Sequence, residues 1–138
     1  MKELREGMRF NFASAVNCID GRVQLPVIEY LKREAGVDFV DMITEPGVCA
    51  VLAENREEAV VAALKHKVEL SIRRHGSRVV AVVGHHDCAA CAKNRVEQEA
   101  ALLAAGDTVR AWNPGTPVML LWVGEDGIVS EVGLIPAN

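Results

Sequence analysis

The run Val79-Val80-Ala81-Val82-Val83 constrains the fold most, because five apolar and mostly β-branched residues follow one another without a polar interruption. Such a run suits a strand that is buried on both faces, as in a parallel sheet. We predict this strand over residues 78–84. Further apolar segments alternate with segments of helical pattern, and this alternation predicts an α/β fold with a mostly parallel sheet flanked by helices. The other predicted strands cover residues 9–18, 37–43, 118–123 and 128–134.

Helices are predicted over residues 25–35, 55–74 and 89–105. Pro26 would lie in the first turn of the first helix, and Asn55 would be the N-cap of the second. Gly106 would end the third helix. The turn at 124–127, Gly-Glu-Asp-Gly, predicts that the last two strands form a hairpin at the edge of the sheet.

The bulk properties of the chain predict one globular domain over residues 1–138. This length is typical of single domains, and half of the residues are hydrophobic. The net charge of −4 argues against a surface for nucleic acid. No apolar stretch is long enough to span a membrane, and the charged N-terminus does not resemble a signal peptide. We therefore expect a cytoplasmic protein whose four cysteines remain reduced and serve as metal ligands, catalytic groups or core residues.

Two short polar motifs follow two of the predicted strands. Cys18-Ile19-Asp20-Gly21-Arg22 comes after the first strand, and His85-His86-Asp87-Cys88 comes after the strand over 78–84. Ligand sites of open α/β sheets form at the carboxyl ends of strands, where successive connections leave in opposite directions. If the two strands are neighbours, we expect these side chains to converge there.

Cys18, His85 and Cys88 form a ligand set that suits zinc. Zinc accepts thiolate and imidazole in tetrahedral geometry, and two thiolates with one neutral imidazole balance its charge. A water molecule or the Asp20 carboxylate could take the fourth position. Arg22 could hold Asp20 away from the metal by two parallel hydrogen bonds, provided that Cys18, Asp20 and Arg22 share one side of an extended segment.

The paired motifs Cys-x-Asp-x-Arg and Gly-His-x-x-Cys resemble those of the β-class carbonic anhydrases. The resemblance implies that Cys18, His85 and Cys88 bind zinc and that Asp20 and Arg22 control the fourth ligand, with Asp20 as a conditional ligand. It also implies reversible hydration of carbon dioxide to bicarbonate by zinc-bound hydroxide. The same resemblance implies a homodimer or a higher homo-oligomer. From the net charge and the lack of a long apolar stretch, we expect neither nucleic acid nor a membrane as partner.

The chain departs from the family pattern near the predicted site. Gly21 stands where the family usually has serine, and Ala89 stands where it usually has glycine. Residues 42–47, Met-Ile-Thr-Glu-Pro-Gly, replace the family's Arg-Asn-Ala-Gly-Asn-like segment. These positions surround the metal ligands rather than supply them.

Other interpretations of the same residues remain open. Cys18 could be a small core residue, and the pair Asp20–Arg22 could be an ordinary surface ion pair. Cys91 could replace one of the zinc ligands or form a redox pair with Cys88. His86 could transfer protons or simply be solvated. Alternative functions are a zinc-binding protein without hydratase activity and a hydrolase of carbonyl sulfide or carbon disulfide.

Overall fold

A computed structural model describes residues 10–90 and 94–138 of the chain. Its described part contains five strands and four helices in the order β1, α1, β2, α2, α3, β3, α4, β4, β5. The strands are β1 (Phe12–Asn17), β2 (Phe39–Thr44), β3 (Val80–His85), β4 (Val118–Val123) and β5 (Val129–Ile135). The helices are α1 (Gly21–Glu34), α2 (Val48–Glu54), α3 (Glu58–His75) and α4 (Arg95–Trp112).

The strands form one sheet in the order β2-β1-β3-β4-β5. The first four strands are parallel, and β5 pairs antiparallel with β4, as the predicted edge hairpin requires. All six residues of β3 are buried, which confirms the prediction from its β-branched run. The strands β1 and β3 are neighbours, and the connections from them leave in opposite directions along the sheet. The crevice expected from the sequence therefore lies between their carboxyl ends.

Helices cover both faces of the sheet. On one face, α1 packs Val27 and Leu31 against Ala15, Ala81 and other small residues of the strands. The second core, on the opposite face, holds residues of the other three helices: Leu52, Leu64, Val68, Leu102 and Ala105. This arrangement confirms the predicted α/β class. Within the described residues, no helix combines the length and the apolar character that crossing a membrane requires.

Several predicted helix ends are wrong. The first helix begins at Gly21 rather than near residue 25, because Asp20 caps it, so Pro26 lies in its second turn. Asn55 does not begin α3; it ends α2 in a left-handed conformation, with φ of 53°. Gly106 lies inside α4, where a β-carbon would stand 2.6 Å from Leu120 Cδ2. Its role is close packing of the helix on the sheet rather than helix termination.

A buried polar network lies away from the carboxyl ends of the strands, in the middle of β1 and β2. The Ser71 hydroxyl of α3 donates to Asp41 Oδ2 at 2.6 Å and accepts from Ser14 at 2.7 Å. Ser77 lies 2.7 Å from the same hydroxyl, and His75 Nδ1 lies 2.7 Å from Asp41 Oδ2. The network joins the end of α3 to the two strands. It supplies partners for three buried serine hydroxyls, which would otherwise be costly to bury.

Candidate metal centre

The turn that follows β1 carries Cys18 and Asp20. Cys18 comes directly after the last residue of the strand and is 6% exposed, while Ile19 beside it is 60% exposed. Asp20 then caps α1, because its Oδ1 accepts from the backbone N–H of Arg22 at 2.9 Å. The turn therefore directs a thiol into the protein and starts a helix within three residues.

Asp20 and Arg22 form the two-point ion pair that the sequence suggested. Arg22 Nε donates to Oδ1 at 3.0 Å, and Nη2 donates to Oδ2 at 2.7 Å. These side-chain hydrogen bonds, together with the one from the Arg22 backbone, hold the pKa of Asp20 well below its ordinary value. The same pairing raises the pKa of Arg22. The local geometry differs from the prediction, because the pair is built on a helix cap and not on an extended segment.

Arg22 also reaches the second motif. Its Nη2 donates to the Asp87 carbonyl oxygen at 3.1 Å, and Nη1 lies 3.5 Å from Asp87 Oδ2. Asp87 adopts a left-handed conformation with φ of 53°, which aspartate tolerates better than most residues. One guanidinium thus links the turn after β1 to the turn after β3.

His85 is the last residue of β3 and is 4% exposed. Its Nδ1 lies 2.8 Å from the His86 carbonyl oxygen. Because a carbonyl oxygen can only accept, Nδ1 carries the hydrogen and Nε2 has the free lone pair. Nε2 is buried and has no hydrogen-bond partner among the described residues. A buried imidazole nitrogen in this state is ready to act as a metal ligand.

Cys18, His85 and Cys88 come together, with their ligand atoms all within 4.8 Å of one another. The two Sγ atoms are 3.9 Å apart. Zinc–sulfur bonds of about 2.3 Å at tetrahedral angles place two sulfurs about 3.8 Å apart. The distance is far too long for a disulfide bond of about 2.05 Å. The geometry and the lone pair on His85 Nε2 therefore fit zinc. Asp20 does not belong to this ligand group.

Two cavities adjoin the candidate metal centre. The smaller has a volume of about 10 Å³, at the lower limit for one water molecule. It is lined by the three ligands together with Gly47, Val48, Cys49, Ala50, Val83, Gly84 and Gln98. The larger, of about 330 Å³, is an open cleft between Arg22, His85, His86 and the turn at residues 124–127. His85 lines both cavities, whereas Cys18 and Cys88 line only the small pocket.

Cys91 lies outside the described residues. Cys49 lines the small pocket, and its Sγ donates to the Val83 carbonyl oxygen at 3.2 Å. His86 is exposed at the edge of the open cleft. Cys88 is not at a helix N-terminus, because α4 begins only at Arg95.

Sequence reasoning missed several residues around the ligand group, among them Gln24, Asp87, Gly47 and Gln98. Gln24 donates a hydrogen bond to the turn after β1, and Asp87 accepts one from Arg22. Gly47 and Gln98 line the small pocket. Asp87 could have been noticed, because it stands between two ligands of a short motif. Gln24, Gly47 and Gln98 carry no local signal, since only the tertiary fold brings them to the site.

Comparison with known proteins agrees with this architecture. Residues 8–133 match the family model described as "Putative carbonic anhydrase". The chain is similar to β-carbonic anhydrase isoform I of the protozoan Trichomonas vaginalis, with 15% identity and a TM-score of 0.57 over 99% of this chain and 94% of that one. It is also similar to β-carbonic anhydrase CafA of the fungal pathogen Aspergillus fumigatus, with 14% identity and a TM-score of 0.50 over 95% of this chain and 84% of that one.

At identities of 14–15%, the two structures show only that the folds are alike. A search of curated proteins found no match to this chain. The family model, however, spans nearly the whole chain, including both ligand-bearing turns. The chain therefore belongs to the "Putative carbonic anhydrase" family that this model describes, and its fold is similar to that of the β-carbonic anhydrases.

Proposed function

We propose that this protein catalyses the reversible hydration of carbon dioxide to bicarbonate with one zinc ion held by Cys18, His85 and Cys88. The observation that carries the proposal is the ligand group itself. The thiols of Cys18 and Cys88 and a ring nitrogen of His85 converge within 4.8 Å, and His85 Nε2 is buried without a partner among the described residues. Membership of the carbonic anhydrase family supports the same chemistry.

The chain's own residues would bind the metal and keep one position open. Two thiolates and a neutral imidazole neutralise the ion, and the hydrogen bond from Nδ1 to His86 O fixes the orientation of the ring. Zinc supplies acidity to a bound water molecule and so provides a nucleophile near neutral pH. Arg22 keeps the Asp20 carboxylate paired and away from the ligand group.

The small pocket supports a small substrate. Its lining of Val48, Ala50 and Val83 is apolar, which suits an uncharged linear molecule such as carbon dioxide. The open cleft on the other side of His85 would connect the centre to solvent and bring Arg22 near an anionic product. A pocket of about 10 Å³ must widen to admit the substrate.

The test combines metal analysis with stopped-flow hydration of carbon dioxide. We expect stoichiometric zinc and a rate above that of buffer near pH 8.5, rising with pH. Arg22→Ala should slow the reaction while zinc remains bound, because it frees Asp20 to compete for the fourth position, and Glu29→Ala, an exposed change on the same helix, should match wild type. Zinc binding without hydration would indicate a binding protein or a hydrolase of carbonyl sulfide or carbon disulfide. Absence of zinc would contradict the proposal altogether.

A further inference from the structure

Gln24 contacts the turn that carries Cys18 and Asp20. It lies in the first turn of α1 and is half-buried. Its Nε2 donates to the Cys18 carbonyl oxygen at 2.8 Å and to the Asp20 carbonyl oxygen at 2.9 Å. The two carbonyl groups flank the exposed Ile19, so one amide group closes the turn at both of its ends.

The orientation of the Gln24 amide is fixed from the other side by Asn17. Asn17 is fully buried at the end of β1, and its Nδ2 donates to Gln24 Oε1 at 3.0 Å. The partners of Gln24 Nε2 are carbonyl oxygens, which only accept, and Oε1 faces a donor. All three contacts therefore require the same assignment of nitrogen and oxygen in the Gln24 side-chain amide. The side chain is held in one orientation before any metal binds.

We propose that Gln24 is a positioning residue of the metal centre. It fixes the Cys18–Asp20 turn so that the Cys18 thiol meets His85 and Cys88 while the Asp20 carboxylate meets Arg22. The inference rests on the proposed zinc site. In this inference, Gln24 determines the position of Cys18, which is the first ligand, and of Asp20, which controls the fourth position.

The physical reason is that neither Cys18 nor Asp20 lies in a strand or a helix. The backbone of Cys18 follows β1, and Asp20 precedes α1 as its cap. Without the Gln24 amide, the Cys18 carbonyl loses this donor, and the Asp20 carbonyl keeps, among the described residues, only the backbone N–H of Val23 at 3.2 Å. A shift of the turn then moves a ligand and a carboxylate together. Groups that orient metal ligands in this way typically change metal affinity about 10- to 100-fold when removed.

The experiment uses the full chain loaded with cobalt(II), whose absorption spectrum reports thiolate ligation and the nature of the fourth ligand. Gln24→Ala removes the amide, and Gln24→Glu keeps the size and an acceptor but loses the donor. Glu29→Ala is the matched control on the exposed face of α1. We expect both Gln24 variants to raise the cobalt dissociation constant about 10- to 100-fold and to alter the d–d bands. The control should match wild type.

If Gln24 had a purely structural role, its variants would have a lower unfolding midpoint, but the cobalt spectrum and the cobalt affinity of the folded protein would stay at wild-type values. This result would overturn the inference. A wild-type protein that binds no cobalt would overturn the inference as well. A wild-type protein that binds cobalt, responds to Gln24 as expected and hydrates no carbon dioxide would contradict the proposed activity and support the role of Gln24.

Discussion

Arg22 holds both carboxylate oxygens of Asp20, at 3.0 and 2.7 Å, and its remaining contacts reach Asp87 in the turn between two ligands of the candidate metal centre. Such a two-point contact is stronger and more directional than a single ion pair. The position of the Asp20 carboxylate therefore depends on a group that also ties the two ligand-bearing turns together.

Arg22→Ala should release Asp20 toward the metal. An anionic carboxylate beside a divalent cation competes with water for the fourth position, so we expect hydration of carbon dioxide at neutral pH to fall by about tenfold or more. The cobalt-loaded variant should show altered d–d bands as a carboxylate joins the ligands. Arg33→Ala changes an exposed arginine of the same helix and serves as control. Equal rates in the two variants would contradict the role of Arg22.

Asp20→Asn should lower the stability at neutral pH, and this effect should disappear in acid. Asparagine also caps helices, so the exchange removes the charge and keeps the cap. The pKa of Asp20 is lowered by Arg22 in the folded protein. The contribution of the pair to the free energy of unfolding is therefore fully present above the unfolded pKa of about 3.9. It is lost as the pH falls through the lower pKa of the folded protein.

The difference in the free energy of unfolding between wild type and Asp20→Asn should accordingly stay constant from about pH 8 to about pH 5 and shrink below about pH 4. Urea denaturation with a chelator present measures this difference without a contribution from metal. Glu29→Gln, which changes an exposed carboxylate of the same helix, provides the baseline. A difference that stays constant down to about pH 2 would show that the pKa of Asp20 is not lowered in the folded protein.

The sequence predicted the central strand and the meeting of Cys18, His85 and Cys88 because both depend on simple patterns. The run Val79–Val83 is apolar throughout. Cys18 directly follows β1, His85 is the last residue of β3, and these two strands are parallel neighbours. The errors have a different origin. Asparagine is favoured at both ends of helices, so the residue type alone does not show which end Asn55 occupies. Its left-handed φ of 53° identifies it as the end of α2. Gly106 is explained by its distance to Leu120, a contact between distant parts of the chain.

The site was also only partly predictable. Cysteine and histidine are common zinc ligands, which limits the best candidates in a chain with four of each. The residues that orient ligands need only a hydrogen-bonding group at the right place, and Gln24 provides one through its amide. Many side chains could serve in this way, so no residue type marks the position. Only the turn between β1 and α1 shows why an amide is needed there.

Cys88→Ser and Cys49→Ser should differ in their effect on zinc. Both cysteines line the small pocket, but only Cys88 belongs to the ligand group. Cys49 Sγ instead donates to the Val83 carbonyl oxygen, and a serine hydroxyl can make the same bond. We expect Cys49→Ser to keep stoichiometric zinc after gel filtration and Cys88→Ser to lose it, as elemental analysis would measure. Loss of zinc from both variants would indicate a different ligand set.

Ser71→Ala should destabilise the protein without affecting the metal centre. The Ser71 hydroxyl joins Ser14, Ser77 and Asp41, and its removal leaves buried hydroxyl groups without a partner. Such losses typically cost about 1–3 kcal/mol. In β1, Ser14 lies four residues before Cys18, which is about 13 Å at about 3.3 Å per residue, so ligand geometry should not change.

Urea denaturation should therefore show a lower free energy of unfolding for Ser71→Ala, while the zinc content and the hydration rate per folded molecule match wild type. Ser130→Ala alters an exposed serine of β5 and should change none of the three quantities. If Ser71→Ala lost zinc while its free energy of unfolding stayed at the wild-type value, the network would be coupled to the metal centre and would not serve as an anchor for α3.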